Sequence, residues 1–218
     1  AKNTVRFIIT CVPILVISSL LVAVILQKNV KGNLLKTGFL FPMAIPGASV
    51  VLLWKGVFDP QGFLNSFLNL FGISGNDWMN TKSAFWVLVF SYVWKNMGYC
   101  MILWLASLAA IPKEMYEAAK IDGSGEAACF LYITLPNLLS SFFTITVISL
   151  INSFKVYREA YLVAGDYPDQ SIYMMQHLFN NWFLDLSLDK LAVGAVINTA
   201  IFVVLIWGFW KGWGQMDE

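Results

Sequence analysis

Two sets of polar residues stand inside long apolar runs, and they are the first candidates for chemistry. Tyr92, Asn96 and Tyr99 fall at i, i+4 and i+7, so a helix places them on one face, with Trp94 and Lys95 beside them. Ser149, Asn152 and Ser153 make a second such face further along. A polar group inside hydrocarbon is costly, which makes it a functional candidate by default. These residue types suit recognition rather than bond breaking. Aromatic rings stack on the C–H faces of a sugar, and amides and hydroxyls exchange hydrogen bonds with its hydroxyls. Tyr92, Trp94, Asn96, Tyr99, Ser149 and Asn152 are therefore the candidate lining of a solute pathway. The competing reading is packing, in which Ser, Thr and Asn bond from one helix to the next. For Lys95, pairing with a partner subunit or snorkelling to an interface is a further option.

A third set is charged and lies in a polar stretch. Residues 111–123 read Ile-Pro-Lys-Glu-Met-Tyr-Glu-Ala-Ala-Lys-Ile-Asp-Gly, and Ile133-Thr134-Leu135-Pro136 follows after nine further residues. Pro112 can start a helix, because its missing N–H would be unpaired there anyway. Glu114 and Glu117 near the beginning favour the positive end of the helix dipole. Met115, Ala118, Ala119 and Asp122 fall on neighbouring turns, and the small residues let a partner backbone come close. Gly123 can take a positive φ and stop the helix. Pro136 is tolerated in the first turn of the apolar run that follows. The expectation is a short, rigid knob held out from the chain; the plain alternative is a loop linking two apolar runs.

Catalytic signatures are not seen. The chain has no Gly-x-x-x-x-Gly-Lys-Ser/Thr phosphate loop, no Gly-x-Ser-x-Gly elbow, no His-Glu-x-x-His and no Cys-x-x-Cys. No catalytic residue and no metal ligand is assigned. Cys11, Cys100 and Cys129 are odd in number and widely spaced, which indicates neither a disulfide framework nor a metal cluster. His177 stands alone in a polar loop and reads as a surface or partner-contact residue. Asp185 and Asp189 read as a solvated loop rather than an acid pair.

The elements that position these residues follow from apolar length. Of 218 residues, 58% are hydrophobic and only 12% charged, about half the usual charged share of a soluble domain. So few charges cannot cover a soluble surface, and the bilayer is the obvious second solvent. A net charge of +1 offers no basic field for nucleic acid. Runs of about 20 apolar residues, enough to cross roughly 30 Å of hydrocarbon, occur five times. They are Val5–Gln27, Leu35–Phe58, Ala84–Ala110, Ile133–Val156 and Leu191–Trp210. Pro13 could kink the first; Pro42, Pro46 and Gly47 must bend or break the second. The fold class is all-α, a polytopic transmembrane helix bundle, read as one domain over residues 1–218. The polar segment 111–132 joins spans three and four, and loops 59–82 and 157–190 lie on the opposite side. In the first of those loops Phe63, Leu64, Phe67, Leu68 and Phe71 have the spacing of a short interfacial helix.

Lysine placement sets the orientation. Lys28, Lys31 and Lys36 mark a cytoplasmic turn, which puts 111–132 inside and the acidic loop with Asp166, Asp169, Asp185 and Asp189 outside. Lys155 and Arg158 sit near the outer end of span four. Residue 1 then falls outside, and an upstream span is expected.

Glu117-Ala118-Ala119, three residues, Gly123, nine residues, Ile133-x-Leu135-Pro136 resembles the "EAA" signature of the membrane subunits of binding-protein-dependent ABC importers. Every spaced position is filled. Looser matches, Leu40–Pro42 with Ile45–Pro46, then Trp54 and Phe58-Asp59-Pro60 with Gly62 and Asn65, and Phe154–Gly165 followed by Pro168 and Ser171, are similar to sugar-type permeases related to the maltose transporter. Ala164-Gly165-Asp166-Tyr167-Pro168 departs from the Gly-rich form expected there. The resemblance implies a type I importer permease core in the cell (cytoplasmic or inner) membrane, translocating a sugar or oligosaccharide. It makes Glu117, Ala118, Ala119, Asp122, Gly123, Ile133, Leu135 and Pro136 the ATPase-coupling residues. Glu117 would pair with a basic residue in a groove of the ATPase. It implies a second, homologous membrane subunit, two copies of a cytosolic ATPase carrying ATP and Mg, and an extracytoplasmic solute-binding protein. No cofactor is expected on this chain. The same machine with an amino acid, peptide, phosphate or metal as cargo stays open. A secondary transporter and a membrane enzyme are more distant alternatives.

Overall fold

The computed structural model describes residues 2–28, 32–154, 157, 160, 161 and 168–214. Lys31, Lys155, Arg158 and residues 162–167, which include Gly165 and Asp166, lie outside the described residues.

Every regular element among the described residues is helical. The first expected span is one helix, α1 (Lys2–Lys28), which runs on through Pro13. The second is broken into α2 (Gly32–Ala44) and α3 (Gly47–Phe58). Pro46 supplies the break, standing before α3 with φ −57° and ψ 141°, outside the helical region. The interfacial helix of the next loop is α4 (Phe63–Leu70), and span three is a single 26-residue helix, α5 (Ala84–Ala109). The charged segment forms α6 (Lys113–Ile121). A bent run follows: α7 (Glu126–Cys129), a π-turn over Phe130–Thr134, and α8 (Leu135–Asn137). Beyond Leu138 comes α9 (Leu139–Ser153), at 64° to that run. Then α10 (Met175–Leu184) and α11 (Leu188–Gly214) complete the order.

Span four thus differs from its expectation. Pro136 does not open the membrane helix; it sits in the bent run before the break at Leu138. The π-turn explains how a proline fits there. Leu135 N–H donates to Phe130 O, five residues back, and this wider turn gives room for the proline ring, which would clash in a regular α-helix.

Among the described residues two helices are long and apolar enough to cross a bilayer by themselves, Lys2–Gln27 and Leu188–Gly208; the number rises to four if each of two broken pairs is one span. Helix α5 has the length, but Tyr92, Trp94, Lys95 and Asn96 at its centre dilute its hydropathy.

The chain divides into two compact units. One contains residues 1–11, 45–93 and 151–218. At its centre Phe7, 1% exposed, meets Phe85 and Tyr92 edge-on at 6.4 and 5.7 Å, and Arg6 lies over the Phe85 ring at 4.2 Å. Trp54, buried, donates its indole N–H to Ser91 Oγ at 2.6 Å. The other unit contains residues 12–44 and 94–150. It closes around Trp104, which is fully buried, packs 6.2 Å from Phe142 and donates Nε1–H to Ser19 Oγ at 3.2 Å. There Gly98 lets α2 and α5 touch backbone to backbone: a Cβ at Gly98 would lie 2.1 Å from Phe39 O.

Candidate functional site

Helix α6 has the local chemistry of a free-standing knob. Pro112, in extended conformation (φ −58°, ψ 133°), is the residue just before the helix rather than its first turn, and its carbonyl accepts from Met115 N–H at 3.3 Å. Glu114 occupies the first turn and Lys120 the last, each matched to the dipole end it faces. At the other end Gly123 takes φ +80°. Ser124 N–H donates to Ala119 O at 2.9 Å and Gly123 N–H to Lys120 O at 3.1 Å, the paired bonds of a Schellman motif.

No residue of α6 is buried. Glu117, Ala118, Asp122 and Gly123 are exposed and Ala119 half-buried. Met115 is 40% and Ile121 86% exposed, so apolar side chains stand in the open among Lys113, Glu117 and Lys120. Ile133, Leu135 and Pro136 lie in the bent run beyond the turn; Ile133 is half-buried, Leu135 and Pro136 exposed. Tyr116, half-buried, places its hydroxyl 2.9 Å from Thr134 Oγ1. The sequence marked neither partner: Tyr116 stands just before the motif and Thr134 is its unspecified position between Ile133 and Leu135.

The candidate pathway residues are distributed over both units. Tyr92, 2% exposed, is packed against Phe7 in the first, which also holds Asn152, half-buried. Trp94, Asn96 and Tyr99 are half-buried in the second, where buried Ser149 Oγ lies 3.5 Å from Cys100 Sγ. Among the described residues no group of His, Cys, Asp or Glu is arranged to hold a metal ion.

The loop between α3 and α5 is organised by Asn65, which the sequence marked only through a loose resemblance and without a role. Asn65, 2% exposed, donates through Nδ2 to the carbonyls of Asp59, Pro60 and Asn76 at 3.2, 3.1 and 2.7 Å. Its Oδ1 accepts from Asn76 N–H at 3.1 Å and from Trp78 Nε1–H at 2.8 Å. On the opposite side of α4, Phe63 and Phe67 are exposed and stacked at 6.4 Å, with Phe71 next at 5.2 Å, as the amphipathic spacing predicts. Asp77 and Asp169 each act as turn acceptors. Asn80, through its side chain and then its backbone, holds the Asp77 carboxyl below the usual carboxylate range; Ser171 does the same for Asp169.

His177 is corrected. It is fully buried, not a surface residue. Its Nδ1 accepts from Met174 N–H at 3.1 Å, and its ring stacks on Tyr173 at 5.4 Å and meets Tyr157 edge-on at 4.8 Å. Its role is to cap α10 and fill the core. Nearby, Asn3 Nδ2 donates to the carbonyls of Gln170 and Tyr173, and Thr4 Oγ1 accepts from Met175 N–H, which ties this segment to the start of α1.

The arrangement, apolar helices with an exposed charged knob, agrees with comparison to known proteins. The trehalose/maltose transport system permease protein MalF of Thermococcus litoralis is 31% identical over 206 residues, covering 93% of this chain and 69% of its own. The probable ABC transporter permease protein YesP of Bacillus subtilis is 33% identical over 230 residues, covering 100% of this chain and 74% of its own. The arabinooligosaccharides transport system permease protein AraP of Halalkalibacterium halodurans is 31% identical, covering 94% of this chain and 67% of its own. The crystal structure of a bacterial ABC transporter involved in alginate import superposes with a TM-score of 0.84 over 100% of this chain and 78% of that one, at 19% identity, a likeness of fold. The model of the family described as binding-protein-dependent transport system inner membrane component matches residues 3–208, and with the helices and knob in place the chain belongs to that family.

Proposed function

We propose that this chain is the membrane-spanning subunit of an ATP-driven importer that moves a sugar or oligosaccharide inward, with α6 as its attachment to a separate ATPase. The observation that carries the reading is α6 itself: a helix with no buried residue, ended by a Schellman turn at Gly123, in a chain whose family is a transport component. A helix that exposes Ile121 and Met115 among charges has the composition of a docking surface. Glu117 stands on it to meet a basic group.

Two ATPase copies would carry the ATP and Mg, and a second related membrane subunit would carry the matching knob. An extracytoplasmic binding protein would deliver solute; one solved relative of similar fold is in complex with an alginate pentasaccharide-bound periplasmic protein. ATP binding draws the knobs together and the helices behind them switch the pathway's access; hydrolysis resets it. This is one two-state element biased from two sites. The sugar class is supported by relatives named for trehalose/maltose and arabinooligosaccharides. A phosphorylated polyol is the second reading, because relatives 29% identical are named sn-glycerol-3-phosphate permeases.

The test is uptake by the reconstituted assembly of labelled trehalose, maltose, an arabinooligosaccharide and sn-glycerol-3-phosphate. ATP-dependent accumulation of one of the sugars, lost in Glu117→Lys together with ATPase attachment, is the expected result. Accumulation of glycerol phosphate alone keeps the machine and overturns the cargo. Full attachment and uptake in Glu117→Lys overturns the docking role of α6.

A further inference from the structure

We infer that Tyr116 is a positioning residue, the tether that makes α6 move as one body with the helix behind it. The inference rests on the proposed attachment of α6 to an ATPase and adds how a pull on the knob reaches the membrane.

Nothing in α6 is buried, so core packing does not hold it. Both its ends are bends: extended Pro112 before it and Gly123 at φ +80° after it. A helix attached only through two bends swivels when pulled. The side chain of Tyr116 removes that freedom. Its hydroxyl lies 2.9 Å from Thr134 Oγ1, and Thr134 Oγ1 lies 3.4 Å from Cys129 O. A carbonyl only accepts, so the single Thr134 hydroxyl proton goes to Cys129, and Thr134 then accepts the Tyr116 proton. The order is Tyr116 O–H to Thr134 to the Cys129 carbonyl, spanning the π-turn.

Thr134 is also where the backbone crosses the break. Its carbonyl accepts from Leu138 N–H at 3.1 Å, and the Leu138 carbonyl accepts from Phe142 N–H at 2.8 Å. Phe142 packs on Trp104, at the centre of the same unit. A displacement of α6 therefore has a bonded route into α9 that bypasses both bends. Removing one oxygen at Tyr116 opens it without changing the ring.

The experiment uses the complete importer in proteoliposomes, with Tyr116→Phe, Thr134→Val and Thr134→Ser. Two quantities are read: the ATPase retained by the purified complex, and the ATP hydrolysed per molecule of trehalose taken up, or of whichever panel solute the assembly accepts. The expected result is normal attachment with about a fivefold rise in ATP per solute for Tyr116→Phe and Thr134→Val, the effect of one neutral hydrogen bond, and restoration in Thr134→Ser. A merely structural role would lower the ATPase retained along with any change in the ratio and would not be rescued by serine. An unchanged ratio in Tyr116→Phe overturns the tether. If a variant loses the ATPase, the mobility of a nitroxide on Lys120→Cys decides, read in the complex before separation: increased mobility in Tyr116→Phe upholds the tether, unchanged mobility overturns it. Failure of the coupling reading itself is distinguishable, because it appears as Glu117→Lys with attachment and uptake intact.

Discussion

Asn65→Leu is expected to loosen the loop between α3 and α5 while leaving the helices in place. The substitution keeps the branched heavy-atom shape of the side chain, with slightly larger methyl ends, and removes an amide that makes five hydrogen bonds. These bonds are not equal. Asp59, Pro60 and Asn76 are exposed, so water can take over their backbone groups. The Asp59 carbonyl also keeps Gly62 N–H at 2.8 Å. The Trp78 indole N–H is half-buried and points at Asn65 Oδ1; it has the most to lose. Bonds that water replaces contribute a few tenths of a kcal/mol each, and an orphaned, partly buried donor costs about 1–3 kcal/mol, so the sum is about 3 kcal/mol. That corresponds to about a hundredfold rise in the local opening constant.

The assay is amide hydrogen exchange on the solubilised assembly, compared segment by segment. Protection over residues 62–80 should fall by about that factor, with α5 and α9 unchanged. Asn69→Leu is the control, because Asn69 stands on the exposed side of the same helix. Protection within threefold of the unmodified chain would refute the reasoning, since it would mean that α4 is held by its apolar contacts and the amide is incidental.

Two further outcomes are expected. Gly98→Ala should separate α2 from α5, because its Cβ would lie 2.1 Å from Phe39 O where an ordinary C···O contact is about 3.3 Å or more. The neighbours are backbone atoms that cannot rotate away, so a loss of about 1–3 kcal/mol and a fall in Tm of about 5 °C are expected by thermal unfolding of the assembly; an unchanged Tm refutes the close approach. The turns at Asp77 and Asp169 should be acid-labile: both carboxyls are held below their usual value of 3.8, so their contribution is complete above that pH and lost as pH falls below it. Exchange at the Met79, Asn80 and Ser171 amides, corrected for intrinsic rate, should be flat from pH 7 to 5 and rise below about 3.8, with the step at residue 77 absent in Asp77→Asn.

What could be read from the sequence was what depends on short spacing or on length. Apolar runs gave the helices, the Phe63–Phe67–Phe71 spacing gave the exposed face of α4, and Gly123 gave the end of α6, because each rests on residues within a turn or two of one another. The break after Ala44 was legible for the same reason, since Pro46 acts on its own neighbours. The break at Leu138 was not. It depends on whether the chain absorbs Pro136 by a kink at the proline or by a π-turn ahead of it, and both are compatible with one proline. His177 was misread because an isolated polar residue in a polar loop carries no sign of burial. Its neighbours Tyr173 and Tyr157 reach it only through the fold. The candidate pathway faces raise the same difficulty. Tyr92 shares a helical face with Asn96 and Tyr99, yet the fold places it in a core against Phe7, while Trp94, Asn96 and Tyr99 stay half-buried.

The two kinds of polar residue in this chain therefore answer to different constraints. Those at helix breaks and turns, Thr134, Asn65 and His177, satisfy backbone groups that a bend leaves over, and each is buried. The charged residues of α6, Lys113, Glu114, Glu117 and Lys120, are exposed together with Ile121. Exposed apolar area rimmed by charge has a reason to persist only if something else covers it. A transport subunit needs both kinds: bends that are stiff, so that a push is carried rather than absorbed, and one surface left incomplete for the part that pushes. Tyr116 lies where the two meet, on the exposed helix but bonded to the buried hydroxyl at the bend. On the proposed coupling, a pull delivered to the open surface enters the stiff part through that residue.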